Sequence, residues 1–283
     1  MMNGLTYILF LVNAAANAAG SVVFHPISLV PGWLSLTIIS AILGVPLFVL
    51  FKYTSNQRAL TRTIDDIKAS LLAVRLYKDN IAVTMKSEVR LMRCSVELFV
   101  YSLIPVLIMS IPLSLILAQM GLWYQARPLQ PGDAPVVVKL KLNSVSKNWP
   151  AVTLDPRPGA RVVTGPVRIA SREEICWTIE PVQEGTHLLK FQVGDQQIVK
   201  QLAIGRGFMR VSTKRPGTNA ADVIMNPLEQ PLSAAGTVTS ISIAYPERKS
   251  FVYGTDWWLV YFCVISMISA LLTSPFIKGR SSA

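Results

Sequence analysis

Apolar positions along this chain follow three different patterns. Apolar runs over 33–51, 98–120 and 257–277, bounded by aromatic or charged residues, mark spans at 33–52, 98–120 and 256–277. Runs of about 20 residues cross a hydrocarbon core of ~30 Å at a helical rise of about 1.5 Å per residue, so these predict three transmembrane helices. Between the first two, from Lys52 to Glu97, the chain is rich in charge, and Leu60, Ile64, Ile67, Leu71 and Val74 recur at steps of four and three. That is the spacing of a coiled-coil seam. Beyond Lys78-Asp79-Asn80, a candidate tight turn, Ile81, Met85, Val89, Met92 and Val96 repeat it. The prediction over 53–97 is an antiparallel helical hairpin standing on a membrane.

Between the second and third spans the period falls to two. Proline and glycine at Pro128, Pro131, Gly132 and Pro135 read as a linker. Short β-rich runs follow at Val136–Leu142, Ala151–Leu154, Val167–Ala170, Ile175–Ile179, His187–Val193, Gln197–Ile204 and Val238–Ile243. Turn residues such as Glu184-Gly185 and Gly194-Asp195 separate them, and the pattern predicts an immunoglobulin-like β-sandwich over 121–255. Cys176-Trp177 would supply core bulk, with Cys176 an ordinary buried residue. A short helix is expected around Ala220 to Met225, and Arg206, Arg210, Lys214 and Arg215 nearby read as a solvated basic surface.

Residues 1–51 contain no Asp, Glu, Lys or Arg. A cleaved signal peptide would explain the Ala-rich tract Ala14 to Ala19, but no positive segment precedes it. A full span over 4–24 competes with an interfacial or shallow re-entrant helix over 1–32, and Asn13 and Asn17 favour the latter. In the first span Gly44 and Pro46 permit a kink or close approach by a neighbour. The second carries Pro105 and Pro112 seven residues apart with Ser102, Ser110, Ser114 and Gln119, and the third carries Ser266, Ser269 and Thr273. Both patterns fit close helix packing, or the wall of a partly hydrated groove.

Charge orients the chain. Between Lys52 and Arg93 nine cations stand against Asp65, Asp66, Asp79 and Glu88, a net +5. A short loop this basic stays in the cytoplasm, as does the tail over 278–283 with Lys278 and Arg280. The expected place is the bacterial inner (plasma) membrane, with the β-region outside, periplasmic or extracellular. Mean hydropathy of +0.43 and 51% hydrophobic residues exclude an ordinary soluble domain. The net charge of +11 is explained by lipid head groups, without direct binding of nucleic acid. Cys94, Cys176 and Cys263 fall in three different regions, and with His25 and His187 they form no metal or Cys/His catalytic pattern. No cofactor is expected. Nor is an enzyme, because no convergent acid, base and nucleophile set is visible.

This order of spans and hairpin resembles the YidC-type insertase superfamily, in particular its small three-span branch, which includes the archaeal YidC-like proteins and the insertase subunit of the ER membrane complex. Phe51-Lys52-Tyr53-Thr54-Ser55-Asn56-Gln57-Arg58, Ile67-Lys68-Ala69, Leu76-Tyr77-Lys78-Asp79-Asn80 and Arg127-Pro128-Leu129-Gln130-Pro131-Gly132 resemble a bacterial group of such proteins. The resemblance covers 1–132 and, by topology, 257–283. It implies a chaperone that helps hydrophobic segments enter the bilayer, without covalent chemistry. Lys52, Arg58, Arg62, Lys68, Arg75 and Lys78 would then meet the client or ribosome, and Ser110, Ser114, Gln119, Ser266 and Ser269 would line the groove. The chain departs from the family in having no positive residue within its spans and in carrying the β-region, which suggests an added outer partner. The alternative is a non-catalytic scaffold subunit that holds partners through hairpin and β-domain.

Overall fold

The computed structural model describes residues 4–27, 30–76, 81–143, 149–155, 159–233, 236–248 and 257–279. The expected turn Lys78-Asp79-Asn80 and Arg280 lie outside them. Among the described residues the α-helices are α1 (Gly4–Ile27), α2 (Gly32–Thr54), α3 (Gln57–Leu76), α4 (Ile81–Tyr124), α5 (Ala220–Met225) and α6 (Trp257–Gly279). Three of them, α2, α4 and α6, are long and apolar enough to cross a membrane, whereas the apolar part of α1 is the shorter Tyr7–Val22. This is the pattern of a multi-pass membrane protein. The chain divides into two compact units, Met1–Ile38 with Ser114–Cys263, and Ile39–Leu113 with Val264–Ala283.

The first unit contains eight strands: β1 (Val136–Leu142), β2 (Val152–Asp155), β3 (Ala160–Ile169), β4 (Glu174–Pro181), β5 (Gly185–Val193), β6 (Gln196–Ile204), β7 (Lys214–Arg215) and β8 (Val238–Ile243). They form a five-stranded sheet ordered β3-β4-β1-β8-β7 and a three-stranded sheet ordered β2-β5-β6. Inward residues of both sheets merge into one core, with Val138, Leu140, Ile175 and Trp177 from the first and Leu189, Phe191 and Leu202 from the second. Trp177 meets Phe191 edge-on at 5.6 Å. Each such burial contributes about 1.5–3 kcal/mol. Because successive side chains alternate faces, placing Trp177 in the core turns Cys176 to the other face, where it is only half-buried rather than buried. Strand β3 begins seven residues earlier than Val167 and passes a cis Gly165–Pro166 bond. Gly165 has φ +135°, and a Cβ there would stand 2.6 Å from Trp177 Cδ1, so only glycine fits.

The expected linker is instead a clasp. Arg127 donates from both guanidinium ends to Asp133, at 2.7 and 3.1 Å, while Asp133 also accepts from the Gln130 amide at 2.8 Å. The turn this closes drives Leu129 fully into the sandwich core. Proline and glycine there shape a tight loop, and an ion pair six residues long in sequence fixes it.

The Arg127 guanidinium holds the Asp133 carboxyl below the usual carboxylate range. Its folded pKa is depressed, so the stabilisation is present above the unfolded value of about 3.9 and is lost as pH falls through the folded value. We expect Asp133→Asn to cost about 1 kcal/mol at pH 7, a partly water-screened pair, and the deficit to shrink at acid pH as the wild-type carboxyl takes up its proton. Thermal unfolding followed by near-UV circular dichroism at neutral and acid pH checks this; an equal deficit at both would rule out the ion pair as its source.

Within the same unit α1 is held by amides. Asn13 donates to the Val223 carbonyl at 2.7 Å, Asn17 to that of Pro227 at 2.6 Å, and Gln119 Nε2 to Asn17 Oδ1 at 2.8 Å. The two asparagines that weaken α1 as a lone span are four residues apart, so they share one helix face and dock it on the α5 segment and α4.

Candidate functional site

The second unit contains the hairpin. Helix α2 ends at Thr54, and Asn56 accepts from the Ala59 amide at 3.2 Å, capping α3. The polar end of the Phe51 to Arg58 motif therefore falls at the break between α2 and α3. An exposed ion pair between Asp66 and Arg90, 2.8 Å apart, links α3 to the first turns of α4.

The seam is not the one the apolar spacing predicts. Ile81 is 76% exposed, Met92 70%, Val89 66% and Val96 62%, and Leu71 on α3 is also exposed. Buried in their place are Thr63 and Ser70 on α3 and Cys94 on α4, with Thr84, Ser87 and Leu91 half-buried. Thr63 and Ser70 return their hydroxyl protons to the carbonyls of Ala59 and Asp66, at 3.0 and 2.8 Å. Their polar groups are thus satisfied within the helix, and small side chains let the helices approach. Half-buried Leu60, Ile67 and Val74 keep part of the expected α3 seam.

This phase leaves an apolar stripe open along α4. Ile81, Met85, Val89, Met92, Val96, Phe99 and Leu103 follow one another at steps of three and four, all exposed, on a helix that runs from 81 to 124 without a break. The expected boundary at 97/98 between hairpin and second span does not interrupt it. Pro105, buried, and Pro112, half-buried, lie on the opposite, packed face with Cys94.

The hairpin cations are only partly neutralised, since Arg90 pairs with Asp66 and Arg93 with Glu97. Arg58, Arg62 and Arg75 are exposed and have no hydrogen-bond or ion-pair partner among the described residues. Lys68 pairs with Asp65 at 3.1 Å in an exposed i,i+3 contact, worth little in water. Lys52 is half-buried on the last turn of α2, and Lys78 lies outside the described residues.

The expected groove residues are divided between the two units, Ser114 and Gln119 in the first and Ser110, Ser266 and Ser269 in the second. Ser266 and Ser269 lie where α6 meets α2: Ser269 donates to the Ala41 carbonyl at 2.8 Å, and a Cβ on Gly44 would stand 2.5 Å from the Ser266 carbonyl oxygen. They are packing residues, because small side chains are what permit that approach. Ser110 is exposed on α4 and donates to its own helix at Leu107. Gln119 is buried and turned to Asn17. Ser114 lines a cavity of about 300 Å³ that also touches Trp258 and Met225.

Outside the hairpin the densest polar cluster is in the β-domain. Lys200, fully buried, donates to the carbonyls of Gln201 and Ser212 at 3.3 and 2.7 Å, to Ser212 Oγ at 2.9 Å and to the Glu229 carboxylate. Burial pulls its pKa down, and Glu229 opposes that pull. Ser212 gives its own proton to Glu229, so the hydroxyl is engaged as donor and acceptor. This network has no local signature, since its members are 12 to 29 residues apart. Among the described residues no group of three His, Cys, Asp or Glu side chains is placed to hold a metal ion, and the three cysteines are free thiols.

The class these features define is a helical membrane protein with a β-sheet region. No family model matches the chain, and no curated protein or solved structure does.

Proposed function

We propose that this protein is a membrane-protein insertase or chaperone that receives hydrophobic segments at its cytoplasmic hairpin and guides them into the bilayer. The observation that carries the reading is the exposed apolar stripe of α4, continuous from Ile81 through Met92 to Leu103 and bordered by Lys86, Arg90 and Arg93. A client helix loses about 25 cal/mol for every Å² of apolar surface left in water, so an apolar track leading into the membrane lowers the barrier to entry. Methionine, flexible and polarisable, suits such a face because it adapts to clients of different shape. Unpaired Arg58, Arg62 and Arg75 supply charge for ribosomal RNA contact or for acidic client flanks. The positive-inside bias supports a cytoplasmic hairpin and an outer β-domain in a bacterial inner membrane, with α1 in the outer interface.

A scaffold role is the second reading, favoured by the β-sandwich, whose separate core is not needed to guide a client. Photocrosslinkers placed at Arg62, Met92 and Ser110, in membranes carrying stalled ribosome and nascent-chain complexes, separate the two. Adducts to the nascent span from Met92 and Ser110 are expected. Arg58→Glu, Arg62→Glu and Lys68→Glu together should reduce insertion at least about tenfold, at roughly 1 kcal/mol per cation. Adducts only to a resident membrane or outer protein would leave the scaffold.

A further inference from the structure

The stretch after β6 docks on the last turn of α4, the end of the second candidate span. Phe208 stacks on Trp123 at 5.4 Å and tilts against Tyr124 at 5.2 Å, with the Arg248 guanidinium 4.7 Å from its ring centre on another side. The Val211 amide donates to the Leu122 carbonyl at 2.8 Å, fixing the loop to the helix end. Beside this contact lies a cavity of about 350 Å³, within the range of small-ligand sites. Trp123, Phe208 and Met209 form its apolar wall, and Thr186, Gln201 and Arg210 bring polar groups to it.

The cations of this stretch differ in their partners. Arg206 is matched with Glu184 at 3.5 Å, Lys214 with Asp222 at 2.8 Å, and Arg215 donates to the Gln230 carbonyl at 2.9 Å. Arg210 is half-buried at the cavity and has no hydrogen-bond or ion-pair partner among the described residues. Glu229, next in sequence to the lining residue Leu228, is already held by Lys200 and Ser212 with Arg215 close by. A half-buried guanidinium beside an aromatic and hydroxyl-bearing pocket, at the end of an apolar span, matches the level at which lipid phosphates lie.

We propose that this cavity binds the phosphate of an anionic phospholipid headgroup, with Arg210 as its charged donor and Trp123, Phe208 and Met209 covering the glycerol and upper acyl chain. The site stands whichever role the hairpin has. A soluble phosphate ester has the same charged group, so the source needs its own arm of the experiment.

The full-length protein, purified in detergent, is titrated with phosphatidylglycerol, with phosphatidylcholine and with glycerol phosphate, and retained adducts are counted by native mass spectrometry. Wild type should retain phosphatidylglycerol about tenfold better than phosphatidylcholine, the scale of one charge-assisted contact, because choline adds positive charge among these arginines. Arg210→Gln should abolish that preference at an unchanged melting temperature, whereas Arg206→Gln, on an exposed and paired side chain, should keep it. Equal phosphatidylglycerol retention by wild type and Arg210→Gln would overturn the site. Arg210-dependent binding of glycerol phosphate as tight as that of the lipid would overturn the membrane source.

Discussion

Replacing Glu229 by alanine is expected to lower the melting temperature of the β-domain by about 10–15 °C. Lys200 is fully buried, and the Glu229 carboxylate is the only anion among the described residues that meets it. Removing that carboxylate leaves an ammonium with neutral acceptors alone, the carbonyls of Gln201 and Ser212 and the Ser212 hydroxyl. Breaking one side of a buried pair costs about 3–5 kcal/mol, because the remaining charge is uncompensated. It also frees Ser212 and the Gln201 amide, both of which bond to Glu229. The pair ties β6 to the segments around Ser212 and Glu229, so its loss should loosen the edge of the sandwich first.

Lys200→Met combined with Glu229→Leu provides the control. Replacing both charges with apolar groups of similar size is often neutral or stabilising, so the double variant should regain most of the loss. Near-UV circular dichroism melts of the full-length chain read both effects. A Glu229→Ala protein that melts within about 2 °C of wild type would show that Lys200 does not depend on its carboxylate for stability.

The second large effect is expected in the other unit. A Cβ on Gly44 would stand 2.5 Å from the Ser266 carbonyl oxygen and 2.9 Å from its Cα, both backbone atoms that no rotamer change can move. Gly44→Ala must therefore push α2 and α6 apart locally, and Gly44→Leu must separate them further. In lipid no hydrophobic effect holds helices together, so the contact depends on close packing and on bonds such as Ser269 to Ala41 at 2.8 Å. Overpacking of this kind costs about 1–3 kcal/mol, and the Ser269 bond adds about 0.6 kcal/mol. The temperature at which half of the detergent-solubilised protein aggregates should fall for Gly44→Ala and fall further for Gly44→Leu. Should the two variants match wild type, α2 and α6 do not depend on this approach.

The sequence alone determined what depends on local period. Length and hydropathy are sufficient for a span, so α2, α4 and α6 lie where unbroken apolar runs predict them. Alternation with turn residues is sufficient for a strand, and β1 and β8 keep the limits read from the chain, as does the short helix α5. The Gly194-Asp195 turn likewise joins β5 and β6, with Val193 paired to Gln196.

Tertiary structure decided everything that depends on which face meets which partner. The stripe of Ile81, Met85, Val89, Met92 and Val96 has the spacing of a seam, and spacing cannot say which of two faces closes. Burial marks the other face as the closed one, with Thr63, Ser70 and Cys94 buried and Ser87 half-buried. Ser266 and Ser269 became packing residues through Gly44, a neighbour more than 200 residues away in sequence. Asn13 and Asn17 found acceptors at Val223 and Pro227, and Arg127 turned a proline-rich linker into a clasp by reaching Asp133. Lys200 and Glu229 leave no mark on any local pattern, since a buried charge is tolerated only where the fold brings its counter-charge to it.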